Sequence, residues 1–303
     1  MVASAYTTSA RVLVSGADGQ IGHALAELLS RQPGLECVAL GRRKFDVTKP
    51  AQIRQQLERH LPDYVVNCAG FNRVDDAERR PDQALAVNSV GAANLAEACA
   101  QLSIPLLHLS SDFVFDGHYA SGYSEEDPVS PLGVFGRSKW EGEEAVRRLQ
   151  PQHLILRVSW VFSARGDNFL LRTLEQARHE TIIEAVDDRR GCPTSAEDVA
   201  RVIVAILRQL TCGIEVWGTY HYGGAEITSR YGFCEAILAA ARQYEALAVQ
   251  ELRAVSAVDF PTAAQRPASS VLKCRKLLST FGIRQRPWRG ELQRVIRELY
   301  GVL

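Results

Sequence analysis

Short apolar runs alternate with amphipathic stretches through the first half of the chain. Residues 11–16 (RVLVSG), 36–41 (ECVALG), 64–70 (YVVNCAG), 105–111 (PLLHLSS) and 153–159 (HLILRVS) have the length and β-branched content of buried strands. Between them, 21–32, 51–60, 82–101 and a stretch opening near Val134 place apolar residues at helical spacing. This β-α repetition predicts an α/β fold with a doubly wound parallel sheet, right-handed crossovers, and ligands beyond the carboxyl ends of the strands. After Trp160 the alternation loosens. Helices are predicted near 168–179, 196–210, 229–243 and 289–299, and short strands near 182–186, 218–222 and 250–255. The pattern divides the chain into residues 1–160 and a smaller lobe, 161–303. The boundary is soft, because a segment such as 181–198 can return to the main sheet.

Composition narrows the function classes. With 303 residues and 46% hydrophobic content the chain can bury a full α/β core, and 35 basic residues balance 35 acidic ones. Nothing global therefore favours nucleic acid or an anionic membrane. No apolar run approaches the roughly 20 residues that span a bilayer, and the first ten residues lack a basic start followed by an apolar stretch. Seven cysteines, odd in number and without a Cys-x-x-Cys pair, fit neither a disulfide framework nor a zinc site. The expectation is a cytoplasmic protein with reduced thiols.

Candidate chemistry begins at Gly16-Ala-Asp-Gly19-Gln20-Ile21-Gly22, which follows the first predicted strand and opens the first predicted helix. In that context glycines allow a tight turn and close backbone approach to a pyrophosphate, so residues 1–160 read as a Rossmann-like dinucleotide domain. The second strand ends in Gly41-Arg42-Arg43, where an NAD-selective site commonly carries an acidic residue. Two guanidinium groups there suit a 2′-phosphate, which favours NADP(H) over NAD(H). Asp46 and Val47 are candidates for the adenine edge, and Cys68, Ala69 and Gly70 for the floor under the cofactor.

Several ordered segments resemble the extended short-chain dehydrogenase/reductase superfamily, and within it the dTDP-4-dehydrorhamnose reductase family, over nearly the whole chain. They include Gly16 to Gly22, Val74 to Glu78 with Asn88, Leu109 to Gly117, Pro131 to Gly142, Arg157 to Trp160, Asp188 to Thr194, Gly218 to His221, Arg266 to Ser270 and Trp288 to Leu292. The resemblance implies reduction of a 4-keto-6-deoxyhexose nucleotide by NADPH, in the route to dTDP-L-rhamnose, with 161–303 as mainly the substrate-binding lobe. The positions matching the catalytic group hold Ser111, Phe135 and Lys139, one of five lysines in the chain. Asp112, Phe113 and Trp160 match substrate-side positions. Arg266, Ser269 and Ser270 lie in the motif expected near the phosphates of a nucleotide-diphosphate sugar.

One departure dominates. A tyrosine four residues before a lysine shares its helix face, so the ammonium lowers the phenol's pKa and the phenol donates a proton. Phe135 keeps the ring and cannot donate. Phe113 and Phe162 likewise stand where the family commonly has tyrosine. Two functions stay open: a reductase with another proton source, or a binding or regulatory protein that keeps the pockets, as the regulatory beta subunit of methionine adenosyltransferase does on a similar fold. No metal is assigned; Glu78, Glu197 and Glu291 read as surface carboxylates. The oligomeric state also stays open, a homodimer among the options.

Overall fold

The structure is a computed structural model that describes residues 9–302. The reading of the chain's first residues as lacking a targeting segment falls largely on 1–8, outside the described residues. Strands β1 (Ala10–Ser15), β2 (Leu35–Leu40), β3 (Tyr64–Asn67), β4 (Leu106–Ser111) and β5 (His153–Val158) join a sixth strand, Gly218–Tyr222, in one sheet. The order is (218–222)-β5-β4-β3-β1-β2, and every pairing is parallel. Strand order therefore reverses between β1 and β3, and a crevice opens at their carboxyl ends.

Side-chain alternation builds a core on each face. Val12, Val14, Val66, Leu107 and Leu156 pack against the helices Gln20–Leu29 and Ala196–Thr211. Leu13, Val65, Leu106 and Ile155 point the other way, onto the helices Pro50–His60 and Gly91–Gln101. Both faces are covered, which is why these strands are almost wholly apolar.

The division after residue 160 needs correction. Helix Ala196–Thr211 and strand Gly218–Tyr222 belong to the main sheet, and Arg275–Phe281 packs on that strand through Phe281 and Tyr220, ring centroids 5.2 Å apart. Segment 181–198 supplies no such strand; Ile182–Val186 pairs in parallel with Glu251–Val255 instead. The physical reason is the broad apolar stripe on 196–211, from Val199 to Leu210, which only the open sheet face can bury. The second lobe is built from the helices Phe169–His179, Arg230–Ala241 and Trp288–Leu299 around Phe162, Phe233 and Trp288. Among the described residues, no helix is long and apolar enough to cross a membrane.

Helix Val134–Leu149 lies on the sheet beside β4 and carries the stripe Phe135, Lys139, Glu143 and Arg147 at intervals of four. Glu143 is fully buried and takes a two-pronged bond from Arg157 of β5, Nε to Oε1 at 2.9 Å and Nη2 to Oε2 at 2.7 Å. Burial alone would raise the Glu143 pKa; Arg157, with Arg147 and Ser110, outweighs it and holds the carboxyl below its ordinary value. Removing one partner would strand the other charge in the core. Glu143→Ala is expected to lower unfolding free energy by about 3–5 kcal/mol in urea denaturation, whereas Glu144→Ala, which removes an exposed pair with Arg147, costs no more than about 1 kcal/mol.

Candidate active site

The crevice between β1 and β3 is shaped by backbone contact. Gly16 has φ +65°, and a Cβ there would lie 2.6 Å from the Ala69 nitrogen. A Cβ on Gly22 would fall 2.3 Å from the Gly16 carbonyl oxygen, so the turn and the first helix can close only around glycine. Gly19 caps that helix without a side-chain bond, which leaves the amides of Gln20 and Ile21 at a helix start. Behind the turn, Ser15 Oγ donates to Asn67 Oδ1 at 2.7 Å, Asn67 Nδ2 meets His108 Nδ1 at 3.0 Å, and the Ala69 amide returns to Asn67 Oδ1 at 3.1 Å. This row ties the ends of β1, β3 and β4. Burial and then Lys139 keep the His108 pKa well below its usual value, so the ring is neutral.

The residues expected around a dinucleotide divide. Gly16, Gly19, Gly22 and the Cys68-Ala69-Gly70 segment meet at the crevice, and burial pushes the Cys68 thiol up to about 12, keeping it neutral. Arg42 and Arg43 stand at the end of β2, Arg42 with 79% of its side chain exposed and only a loose 3.9 Å approach to Asp46. The side chains of three others are engaged within the chain. The Asp46 carboxylate accepts from the Thr48 amide and hydroxyl, and its own amide donates to Gln52, so it is used in a turn. Val47 is a core side chain packed on Gly91, because an apolar residue there fills the gap left by the missing Cβ. Gln20 Oε1 accepts from Ser163 Oγ and Asn168 Nδ2, binding the first helix to the second lobe.

At the end of β4, Ser111 Oγ donates to Asp112 Oδ1 at 3.0 Å and accepts from the Phe113 amide, starting a short turn, Asp112–Val114. Asp112 is 2% exposed. Burial pushes its carboxyl up, against bonds from Ser270, Ser159 and Ser111. Gly136 lets the helix touch this turn, since a Cβ there would sit 2.1 Å from the Phe113 carbonyl oxygen. The contact brings Phe135 edge-on to Phe113, centroids 5.6 Å apart and planes at 71°. Both rings line a shallow, solvent-open hollow with Val74, Glu78, Ala264 and Pro267. Lys139 is 4% exposed and donates to the Leu109 carbonyl at 2.6 Å; burial pulls its pKa down to about 8, with Glu143 opposing.

The substrate-side residues are also split. Trp160, at φ +44°, donates from Nε1 to Ser270 Oγ at 3.0 Å, and Ser269 lies buried beside it in sequence with no hydrogen-bond partner for its hydroxyl. Arg266 is not a free cation. Its guanidinium grips Asp75 at 2.6 and 3.0 Å and also bonds the Ala264 carbonyl, because Asp75 in the helix Val74–Arg79 faces the 264–267 segment. Phe162 is buried in the second-lobe core against Phe233, away from these groups. Its missing hydroxyl is a matter of packing. Of the carboxylates read as surface groups, Glu78 caps the helix at Val134 and Glu291 accepts from Ser195 and Arg294. Glu197 is a correction: one of its oxygens is buried with no hydrogen bond and meets Arg294 only at 3.6 Å.

Known proteins are similar to this chain over nearly its whole length. The family model described as the RmlD substrate binding domain matches residues 10–300. The chain belongs to that family. It is 38% identical over 290 residues to a dTDP-4-dehydrorhamnose reductase of Sinorhizobium fredii, covering 94% of this chain and 96% of the relative. A relative of the same name from Aggregatibacter actinomycetemcomitans is 36% identical over 94% of this chain and 98% of its own length. Among solved structures, the Bacillus anthracis dTDP-4-dehydrorhamnose reductase in complex with NADP superposes with a TM-score of 0.87 at 30% identity, covering 96% of this chain and 99% of that one.

Sequence reasoning missed Arg230, which lies on the Trp160 ring, and Asp75 as the partner of Arg266. No spacing rule marks either, since both contacts join segments distant in sequence. Lys139 offers a direct test of the site's electrostatics. With a folded pKa near 8 against an ordinary 10.5, the folded state binds fewer protons between those values, so stability rises with pH across that window and is lost as pH falls through 8. Urea titrations from pH 7.5 to 10 are expected to show the parent gaining on Lys139→Met, with a slope of up to about 1.4 kcal/mol per pH unit.

Proposed function

We propose that this chain is an NADPH-dependent reductase of a dTDP-4-keto-6-deoxyhexose, of the dTDP-4-dehydrorhamnose reductase type, with a proton source other than tyrosine. The observation that carries the reading is the juxtaposition at the end of β4. Ser111 stands beside the switch-point crevice, and Lys139 reaches the same strand from a helix whose preceding turn presents the Phe135 ring. The reductase names of relatives spanning nearly the full chain, and the NADP in the Bacillus anthracis complex, support the same reading.

The residues present fit a dinucleotide phosphate. The glycine turn leaves a cradle that a Cβ at Gly16 would fill, and Arg42 and Arg43 are exposed, Arg42 with only a 3.9 Å approach to Asp46. When bound, NADPH supplies the hydride. The amides of Gln20 and Ile21 at the helix start would receive the pyrophosphate, and Cys68 to Gly70 would form the floor. Lys139 has donors beyond its bond to Leu109 for ribose hydroxyls, and its charge stabilises the oxyanion developing on the ketone. Ser111 Oγ orients that carbonyl, with Asp112 and Trp160 on the sugar side and the 161–303 segments outside the main sheet forming most of the substrate lobe. Phe135 donates nothing, so the proton would come from water held by Ser111 and Lys139. A lost general acid costs about 10²–10⁴ in rate, roughly 3–5.5 kcal/mol. Seven free cysteines support a cytoplasmic setting.

The Phe135–Phe113 pair also favours a second reading, a protein that retains both pockets and uses them for binding or regulation. Single-turnover oxidation of NADPH with dTDP-4-keto-6-deoxyhexose decides between them. The reductase reading predicts measurable oxidation by the unaltered protein. Its rate should fall as pH rises through about 8, where Lys139 loses its charge, and Phe135→Tyr should raise it by about 10²–10⁴. NADPH binding without oxidation, with activity only in the tyrosine variant, would overturn the reductase and leave the binding protein.

A further inference from the structure

Arg230 opens the helix Arg230–Ala241 directly after its cap, Ser229. Its guanidinium carbon lies 3.5 Å from the centroid of Trp160 and 4.8 Å from that of Phe169. Trp160 is itself immobilised, by the bond from its indole N–H to Ser270 and by Gly191, where a Cβ would come within 2.2 Å of the ring. The cation therefore rests on a fixed platform. Stacking occupies a guanidinium's face and leaves its five N–H donors directed outward.

No acceptor among the described residues takes them. The other arginines of this corner are committed: Arg266 to Asp75 and Arg172 to Asp167 at 2.5 Å. Arg230 has no carboxylate within salt-bridge distance, and its nearest counter-charge, Asp112, acts only through space. Arg189, partly buried, is also without a hydrogen-bonded carboxylate. Arg189, Arg266 and Arg172 all repel Arg230, and burial with that repulsion pulls its pKa down to about 9. A folded chain that gathers this much positive charge at one lobe junction, with an unfilled donor fork, is built to receive an anion.

We propose that Arg230, with Arg189 as a further cation within electrostatic reach, forms an anion subsite for the diphosphate of the nucleotide-activated sugar. The ligand assignment rests on the reductase reading; the subsite itself does not. It also transfers the phosphate role from Arg266, whose donors are spent on Asp75, to a residue one helix away. Trp160 becomes the platform that aims the guanidinium, and its Ser270 bond fixes the platform.

Calorimetric titration with inorganic pyrophosphate, the dinucleotide site first saturated with NADP⁺, tests the subsite alone. Arg230→Gln is expected to weaken pyrophosphate binding by about 10–100-fold, the size of one or two charge-assisted hydrogen bonds. Arg189→Gln, on a different segment, should weaken it in the same direction. Arg172→Gln should leave it unchanged, and NADPH affinity should hold in all three. Equal pyrophosphate affinity in the parent and Arg230→Gln would overturn the subsite. Titration with dTDP separates the two readings. Tight dTDP binding that ignores Arg230→Gln leaves the nucleotide-sugar reading standing and removes the subsite. Pyrophosphate binding lost in Arg230→Gln, with no dTDP binding by the parent, supports the subsite and removes the nucleotide-sugar assignment. If Arg230→Gln fails to fold, Arg230→Lys keeps the charge and loses the fork, and should weaken pyrophosphate less than Arg189→Gln does.

Discussion

The buried fork between Arg157 and Glu143 fixes the position of the helix on which the site depends. Two charges removed from water must satisfy each other closely, so the carboxylate end of Val134–Leu149 has essentially one place to sit against β5. Everything else on that face follows at four-residue intervals. Lys139 reaches the Leu109 carbonyl, and Phe135 meets Phe113 where Gly136 allows backbone contact. Asn88 braces the same helix from another direction, bonding Ser138 Oγ and both backbone groups of Phe71. A ring, an ammonium and a carboxylate are thus held as one rigid row.

The two lobes are joined by polar clips on either side of the crevice. Gln20, at the start of the first helix, holds Ser163 and Asn168; Asp75 holds Arg266 and the Ala264 amide. Such clips position the second lobe without a continuous apolar interface, and they use up groups that a motif alone would assign to ligands. Gln20 and Arg266 are both instances. Side chains consumed in positioning differ from the exposed arginines after β2 and the stacked Arg230, whose guanidinium groups are not held by such clips.

The phenylalanines carry different meanings in different surroundings. Phe113 and Phe135 meet edge to face, and both line the hollow they share with Val74 and Glu78. Phe162 packs among Phe233 and its neighbours, where a hydroxyl would need a partner the core does not offer. Burial of Lys139 and Asp112 completes the contrast. One loses basicity and the other acidity because each is taken out of water next to β4.

By itself the sequence determined the alternating strands and helices, the glycine turn, and the helix bearing Phe135 and Lys139. Each is a local pattern: apolar periodicity, the conformational freedom of Gly16, and spacing along one helix. The second-half elements near 182–186, 218–222 and 250–255 were legible as strands, but not their partners, because a strand's pairing depends on which sheet edge lies open. Only the tertiary structure returned 196–222 to the main sheet, buried Val47, spent Arg266 on Asp75 and left Arg230 free on Trp160. The reason is physical. Whether a charged side chain is available depends on which opposite charge the folded chain brings within reach, and residues as far apart as 75 and 266 meet only after the chain has packed.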